Sequence, residues 1–397
     1  MIFDLVVRVI SYIVLVVFLY NIVITMFSLK IKKKNESIKI EDKNTFCVLI
    51  PCHNEEEVIE STLNAINKTI YDKSLCKVYV IADNCSDTTS EVCEAFIKNN
   101  PLFDCRVLKV RGGSKPKALN SAVNILKEEG LWTADNIVIL DADNKVSPTI
   151  FNSFNEEHLK GEKLVQCAIK SLNDVSFVAR GFTSAFNNMN RGFQYARNRV
   201  GLSGSLSGTG FSIDRKVWDE VDFIKCDTLT EDLEFSILSI LAGYRVKFVF
   251  DDYVLNQHLD EFKPSMVQRV RWSRGHMQVF MKLSWSVIKE FLKNPSIQLI
   301  DSFLFITNPF RDLLYVVVLF IDILLYKEIH VPLYLILIPL TYSIVFTILC
   351  DNRKIKYLLP SMMYTVTMFF ATVYGGLTYT NRVWAKTVHK KIELPAT

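Results

Sequence analysis

The chain has 397 residues, half of them apolar, and a formal net charge of +4. Its Lys and Arg residues are scattered and form no single basic stripe, which argues against nucleic acid as a partner. The nine cysteines include no Cys-x-x-Cys pair and show no regular spacing, which points to reduced, cytosolic thiols.

From Val9 to Leu29 the chain runs through 21 uncharged residues, enough to span a bilayer. The stretch is too long for a cleaved signal, and no small-residue cleavage site comes after it. Lys30, Lys32, Lys33 and Lys34 come next, so the positive-inside rule places the chain beyond them in the cytosol.

Thr45–Pro51 is a buried-strand run, and Glu55–Lys68 has helical spacing. Lys77–Ala82 is a second strand, ending at Asp83, and a helix runs from about Thr88 to Lys98. Arg106–Val110 and Lys117–Lys127 form a third strand and helix, and Asn136–Leu140 is a fourth strand ending at Asp141-Ala142-Asp143. This alternation predicts βαβ units and an α/β domain with a mainly parallel sheet, whose ligands bind beyond the carboxyl ends of the strands.

Apolar segments return at about 303–326, 331–350 and 357–380. The expected layout is an anchor with its basic flank (1–34), a cytosolic domain with interfacial helices (35–300), and a C-terminal membrane block with a short basic tail (301–397). Three full crossings would leave the C-terminus outside, whereas Arg382, Lys386, Lys390 and Lys391 favour an inside tail. Pro360, Gly375, Gly376 and five threonines make 357–380 unusually polar, so a re-entrant or interfacial segment is expected there. Arg311, Asp312 and Asp322 lie in or beside the first segment, where charge facing lipid is costly, and are expected to line a polar path or to mark the headgroup levels.

Four short motifs carry candidate chemistry. Asp141 and Asp143, on a tight turn, can hold a hard cation such as Mg²⁺ and leave positions for phosphate oxygens, although such turns also occur as plain surface features. Lys115, in Gly-Gly-Ser-Lys-Pro-Lys just before a helix, suits a nucleotide or its phosphates, or is an ordinary solvated loop. Thr230-Glu231-Asp232 opens an apolar helical pattern and reads either as an N-cap or as a general base at a helix start. Gln268-Arg269-Val270-Arg271-Trp272 offers guanidiniums for a diphosphate and an indole face for a sugar, or forms a basic amphipathic helix on a membrane surface.

In this order, together with Pro51-Cys52-His53-Asn54-Glu55, the motifs resemble the processive family 2 glycosyltransferases, the group of cellulose, chitin, hyaluronan and poly-N-acetylglucosamine synthases. The resemblance covers roughly residues 45–275. It implies a GT-A fold and an inverting, single-displacement reaction on a UDP-sugar. Asp83 would contact the uracil, Lys115 the nucleotide, and Asp141 and Asp143 the diphosphate with its Mg²⁺ or Mn²⁺. Asp232 would be the base, and Gln268, Arg269 and Arg271 would hold the leaving diphosphate. Trp272 would stack on the acceptor, with Gly208 and Thr209 in the turn that lets it approach. Trp384–His389 resembles a Trp-x-x-Thr tail of this superfamily. A polysaccharide synthase in the plasma membrane, multi-pass and coupled to export, is the expected function. The nearest alternative is a non-processive enzyme adding one sugar to a lipid-linked or other acceptor.

Overall fold

The computed structural model describes residues 2–30, 42–326, 341–342, 344–348 and 355–383. The 331–350 segment for the most part, the 384–389 tail and the side chain of Asp322 lie outside the described residues. The elements are α1 (Ile2–Met26), β1 (Phe46–Cys52), α2 (Ile59–Asn67), β2 (Cys76–Asp83), α3 (Thr89–Asn99), β3 (Cys105–Val110), α4 (Lys115–Glu128), β4 (Asn136–Ile139), β5 (Lys145–Val146), α5 (Ile150–Leu159) and β6 (Leu164–Ser171). Then come α6 (Phe177–Asn188), a π-helical turn (Met189–Tyr195), α7 (Ala196–Arg199), β7 (Phe211–Asp214), α8 (Arg215–Val221), α9 (Glu231–Leu241), β8 (Val246–Asn256), α10 (Phe262–Lys293), α11 (Ile297–Ile306), α12 (Asn308–Tyr326) and α13 (Leu358–Leu377).

The eight strands form one sheet in the order β3-β2-β1-β4-β7-β6-β8-β5. β3, β2, β1 and β4 are parallel, as the βαβ rhythm requires. β7 then runs antiparallel between β4 and β6, so the sheet is mixed beyond its first half. Side chains of a strand alternate between faces, and both faces of β1 are covered. Phe46, Val48 and Ile50 pack with Ile59, Leu63, Phe96, Phe151 and Phe154 of α2, α3 and α5. Cys47 and Leu49 pack the other way, in the layer holding Leu119, Val123, Leu126, Trp218 and Phe235.

A third apolar cluster joins α9 to α10 and α11 through Leu233, Ile237, Val279, Leu283 and Leu299. The segment expected at 303–326 is not one helix: it divides between α11 and α12, and Thr307 caps the end of α11. Among the described residues two helices are long and apolar enough to cross a membrane, Arg8–Met26 and Ile355–Leu377. The second is a continuous helix through Leu358–Leu377, where the sequence suggested a re-entrant or interfacial segment.

α13 lies against two other helices at glycines. A Cβ on Gly375 would stand 2.5 Å from Ser273 Cβ and 3.1 Å from the carbonyl oxygen of Val270 on α10. On the α6 side, a Cβ on Gly181 would stand 3.1 Å from the carbonyl oxygen of Pro360.

Candidate functional site

Three loops at the carboxyl ends of β1, β2 and β4 meet beneath one cavity of about 1080 Å³. Asp83, the last residue of β2, is 6% exposed. Its carboxylate accepts the backbone N–H of Gly112 at 2.6 Å and of Gly113 at 2.9 Å, which closes the glycine loop ahead of α4 over the strand end. His53 Nδ1 lies 2.7 Å from its carbonyl oxygen. Gly113 has φ +77°, a left-handed conformation that suits glycine.

α4 begins at Lys115, two residues before the sequence pattern suggested, and so brings that ammonium to the cavity. Lys115 Nζ donates to Asp141 Oδ1 at 2.6 Å and to the carbonyl oxygen of Gly208 at 2.6 Å. The backbone N–H of Asp141 donates to Thr209 Oγ1 at 2.9 Å, and Thr209 Oγ1 in turn donates to Asn144 Oδ1. The Gly208-Thr209 turn is thus bound to the Asp-x-Asp turn on both sides. Gly208 has φ +78°, and a Cβ there would sit 3.6 Å from Asp232 Oδ2. Asp83, Lys115, Asp141, Asp143, Gly208, Thr209 and Asp232 all line the one cavity.

Glu231 and Asp232 form the first turn of α9. Burial raises both carboxyls above the ordinary carboxylate range, and Lys115 and Arg271 act against that rise. Burial by itself lowers Lys115, but Asp141 and Glu231 outweigh it, so its pKa lies above an ordinary lysine's. Arg271 is lowered by burial and supported by Glu231, Asp232 and Asp141. These five groups are one electrostatic unit.

The loop before α9 is fixed by α10. The N–H of Leu229 donates to Gln278 Oε1 at 2.9 Å, and the N–H groups of Asp227 and Thr228 donate to Glu234 Oε2 at 3.0 Å each. Lys282 pairs with the fully buried Glu234. Gly275 lets α10 come this close, since a Cβ there would be 2.7 Å from Thr230 N and 2.6 Å from Thr230 Cγ2. Gln268, Arg271, Gly275, Gln278 and Lys282 recur every three or four residues, which makes them one stripe of the helix.

Gln268, Arg271 and Trp272 line the cavity, but Arg269 does not. It is 2% exposed and donates to Thr367 Oγ1 at 2.6 Å and Ser265 Oγ at 2.8 Å, with its guanidinium 4.8 Å from the ring centre of Tyr364. The diphosphate grip expected of Arg269 is corrected: successive helical residues are turned by about 100°, so Arg269 cannot share the face of Gln268 and Arg271. Its place is the seam between α10 and α13.

Sequence reasoning missed the aromatic shelf beside Trp272. Phe182 and Phe186 stand edge-on to the indole at 6.1 and 6.3 Å, and both stack on His258. Burial lowers His258 to about 3, so it is neutral. Phe182 and Phe186, four apart in one apolar helix, were a legible signal for a shared face; no signal placed His258 against them. Gly275, Gln278 and Lys282 were legible as the continuation of the Gln268–Arg271 spacing.

Among the described residues no group of three or more His, Cys, Asp or Glu could hold a metal ion. Asp141 and Asp143, both on one turn, are among the carboxylates that line the cavity.

Residues 43–275 match the family model described as glycosyltransferase like family 2. The probable glycosyltransferase YdaM of Bacillus subtilis (strain 168) is 29% identical over 264 residues, 64% of this chain and 60% of that protein. The poly-β-1,6-N-acetyl-D-glucosamine synthase of Staphylococcus aureus (strain COL) is 23% identical over 256 residues, again 64% of this chain and 60% of that one. The chain thus spans about 60% of the length of these relatives. The mannosyltransferase PcManGT of Pyrobaculum calidifontis, solved with GDP-Man and Mn²⁺, superposes with a TM-score of 0.62 at 14% identity over 92% of this chain and 99% of that one. This likeness shows the GT-A fold.

Proposed function

The chain belongs to the family 2 glycosyltransferases, and from that membership we propose that it is a membrane-bound, inverting enzyme that transfers a sugar from a UDP-sugar to a growing polysaccharide. The observation that carries this reading is the continuity of the cavity. It joins Asp83 and Lys115 to Asp232 and Trp272 without interruption, then extends between helices as far as Arg311 and Asp312 of α12.

In this reading Asp83 and the Gly112-Gly113 loop receive the nucleoside. Lys115, Gln268 and Arg271 hold the diphosphate, the two cations as charge-assisted donors. Asp232 accepts the proton of the attacking hydroxyl, and the sugar–phosphate bond breaks as the new glycosidic bond forms on the opposite face. Trp272, braced by Phe182 and Phe186, gives the acceptor ring a flat platform.

Asp141 and Asp143 fit a Mg²⁺ or Mn²⁺ that takes one or two carboxylates from the protein and its other oxygens from phosphate and water. Bound there, the ion would neutralise charge gathering on the departing diphosphate. Asp143, 9% exposed on the same turn, is the better direct ligand in this reading, with Asp141 shared between the ion and Lys115.

α1 anchors the cytosolic domain in the plasma membrane with Lys30–Lys34 inside, and the later apolar segments make the protein multi-pass, so that synthesis is coupled to export. Boundaries at about residues 34 and 300 belong to this reading. A second reading, transfer of one sugar to a lipid-linked acceptor, is favoured by the apolar residues Phe18, Ile22, Met368 and Phe369 in the cavity lining.

A panel of UDP-sugars offered to membrane vesicles, scored by UDP release and then by product length, tests the proposal. Release of UDP from one donor with a ladder of lengthening products supports polymer synthesis. A product stopped at one added sugar supports the second reading, and no UDP release from any donor overturns both.

A further inference from the structure

The C-terminal half of α1 is bound to the body of the protein through a buried charge. Arg197 of α7 and Asp301 of α11 form an ion pair, Nε–Oδ2 2.9 Å, and the side chain of each is 4% exposed. Tyr20 Oη donates to Asp301 Oδ1 at 3.0 Å, and Arg197 Nη2 donates to Asn21 Oδ1 at 3.0 Å. The guanidinium also lies 3.9 Å from the ring centre of Phe193 in the π-helical turn. One turn further along α1, Thr25 Oγ1 donates to the carbonyl oxygen of Gly192 at 3.2 Å. Ile24 packs with Ala196 and Leu202.

This docking is more than an anchor needs. The residues it turns inward, Phe18, Asn21, Ile22 and Thr25, line the same cavity as Asp232 and Trp272. Val23, the next position round the helix, is 53% exposed. A lone ion pair in an apolar setting is costly to bury, and a chain that needed only a hydrophobic tether could hold α1 with apolar contacts alone. What the ion pair and its two hydrogen bonds fix is the rotation of α1 about its own axis.

We propose that α1 is a wall of the acceptor end of the cavity, and that Arg197 and Asp301 are positioning residues which hold its Phe18–Thr25 face towards the acceptor. The proposal rests on the transferase reading for the word acceptor, but the placement of the wall stands apart from it.

The test uses the full chain in inside-out membrane vesicles, with single cysteines at Ile22→Cys and Val23→Cys and a water-soluble maleimide. Unmodified protein sets the background from native thiols. A thiol reacts as its thiolate, which forms in a watery cavity and not in lipid, so position 22 should label roughly tenfold faster than position 23. Adding Asp301→Asn to each should bring the two rates together, and Tyr20→Phe, which removes one hydrogen bond and uncovers no charge, should narrow the gap in part. Labelled Ile22→Cys should still hydrolyse the active donor, with water taking the sugar as UDP leaves, but should incorporate less sugar into product.

Equal labelling at the two positions in the parent background overturns the wall, and a gap that survives both Asp301→Asn and Tyr20→Phe overturns the positioning role. Normal incorporation by fully labelled Ile22→Cys overturns the acceptor role. If no UDP-sugar is consumed the transferase reading fails, while the labelling pattern still decides the wall.

Discussion

Lys115 and Asp141 lie 2.6 Å apart, and the same ammonium reaches the carbonyl of Gly208, beside which Asp232 stands. A side chain at a helix start thereby ties the Asp-x-Asp turn to the loop that faces the candidate base. Asp232→Asn keeps the shape of the site and removes its proton acceptor, so turnover should fall by about 10²–10⁴-fold with the donor KM near its starting value. Steady-state kinetics with donor and acceptor varied separately checks this, and turnover near the unmodified level would leave Asp232 as a helix-capping residue.

The acid limb of the pH profile should respond to Glu231. Asp232 must be ionised to accept a proton, and its raised pKa makes activity fall at a higher pH than an exposed aspartate would give. The two neighbouring carboxyls oppose each other's ionisation. Glu231→Gln removes that opposition and should move the limb to lower pH. Stability has the same sign: a raised carboxyl binds more protons folded than unfolded, so its contribution is lost as pH rises through the raised value. Thermal melts should therefore show Glu231→Gln gaining on the unmodified protein as pH increases.

Arg269 and Arg271 should separate cleanly. Arg271→Ala removes a cavity guanidinium and should raise the donor KM. Arg269→Ala should leave the donor KM alone and cost stability, by about 1–3 kcal/mol, through lost packing and hydrogen bonds at the α10–α13 seam. Equal effects of both on the donor KM would return Arg269 to the diphosphate.

Gly275→Ala is expected to act at a distance. Its new methyl would meet the backbone nitrogen of Thr230, which cannot rotate away. The start of α9 must move, so kcat should drop by about tenfold or more, since small misplacements of a catalytic group are costly, with donor affinity preserved. Isothermal titration with UDP alongside turnover measures both.

Removal of divalent ions should abolish transfer, and Asp143→Ala should mimic that loss at ordinary metal concentrations. Transfer that persists in excess EDTA would remove the metal from the scheme.

Much of the fold was legible because its first half obeys local rules. β1, β2 and β4 are apolar runs buried on both faces, and each ends at a polar turn that the cavity uses. The later strands escaped notice: β5 has two residues and β7 four, and β8 carries Asp251 and Asp252, the latter satisfied by Ser147, Thr149 and Ser153. Of the expected site residues, Arg269 alone lies away from the cavity, because five consecutive residues of a helix occupy more than one of its faces. The roles of Gln278 and Lys282 depend on the loop before α9, a contact across about fifty residues that no local pattern announces.

Where α13 meets α6 and α10, backbone faces its neighbours across Gly181 and Gly375. A side chain at such a crossing could be exchanged for another of similar bulk, with rotamers absorbing the difference. Main chain against its neighbour has no such give. The register of α13 is therefore held like a key in a slot, and the freedom of its sequence is sharply uneven. Its outward residues, such as Leu359, Phe370 and Leu377, can drift among apolar types. A methyl at position 375 would stand 2.5 Å from Ser273 Cβ and must shift the helix, so a saturation scan should find a point of intolerance there. One at position 181, 3.1 Å from the Pro360 carbonyl, asks α13 to give by a few tenths of an ångström.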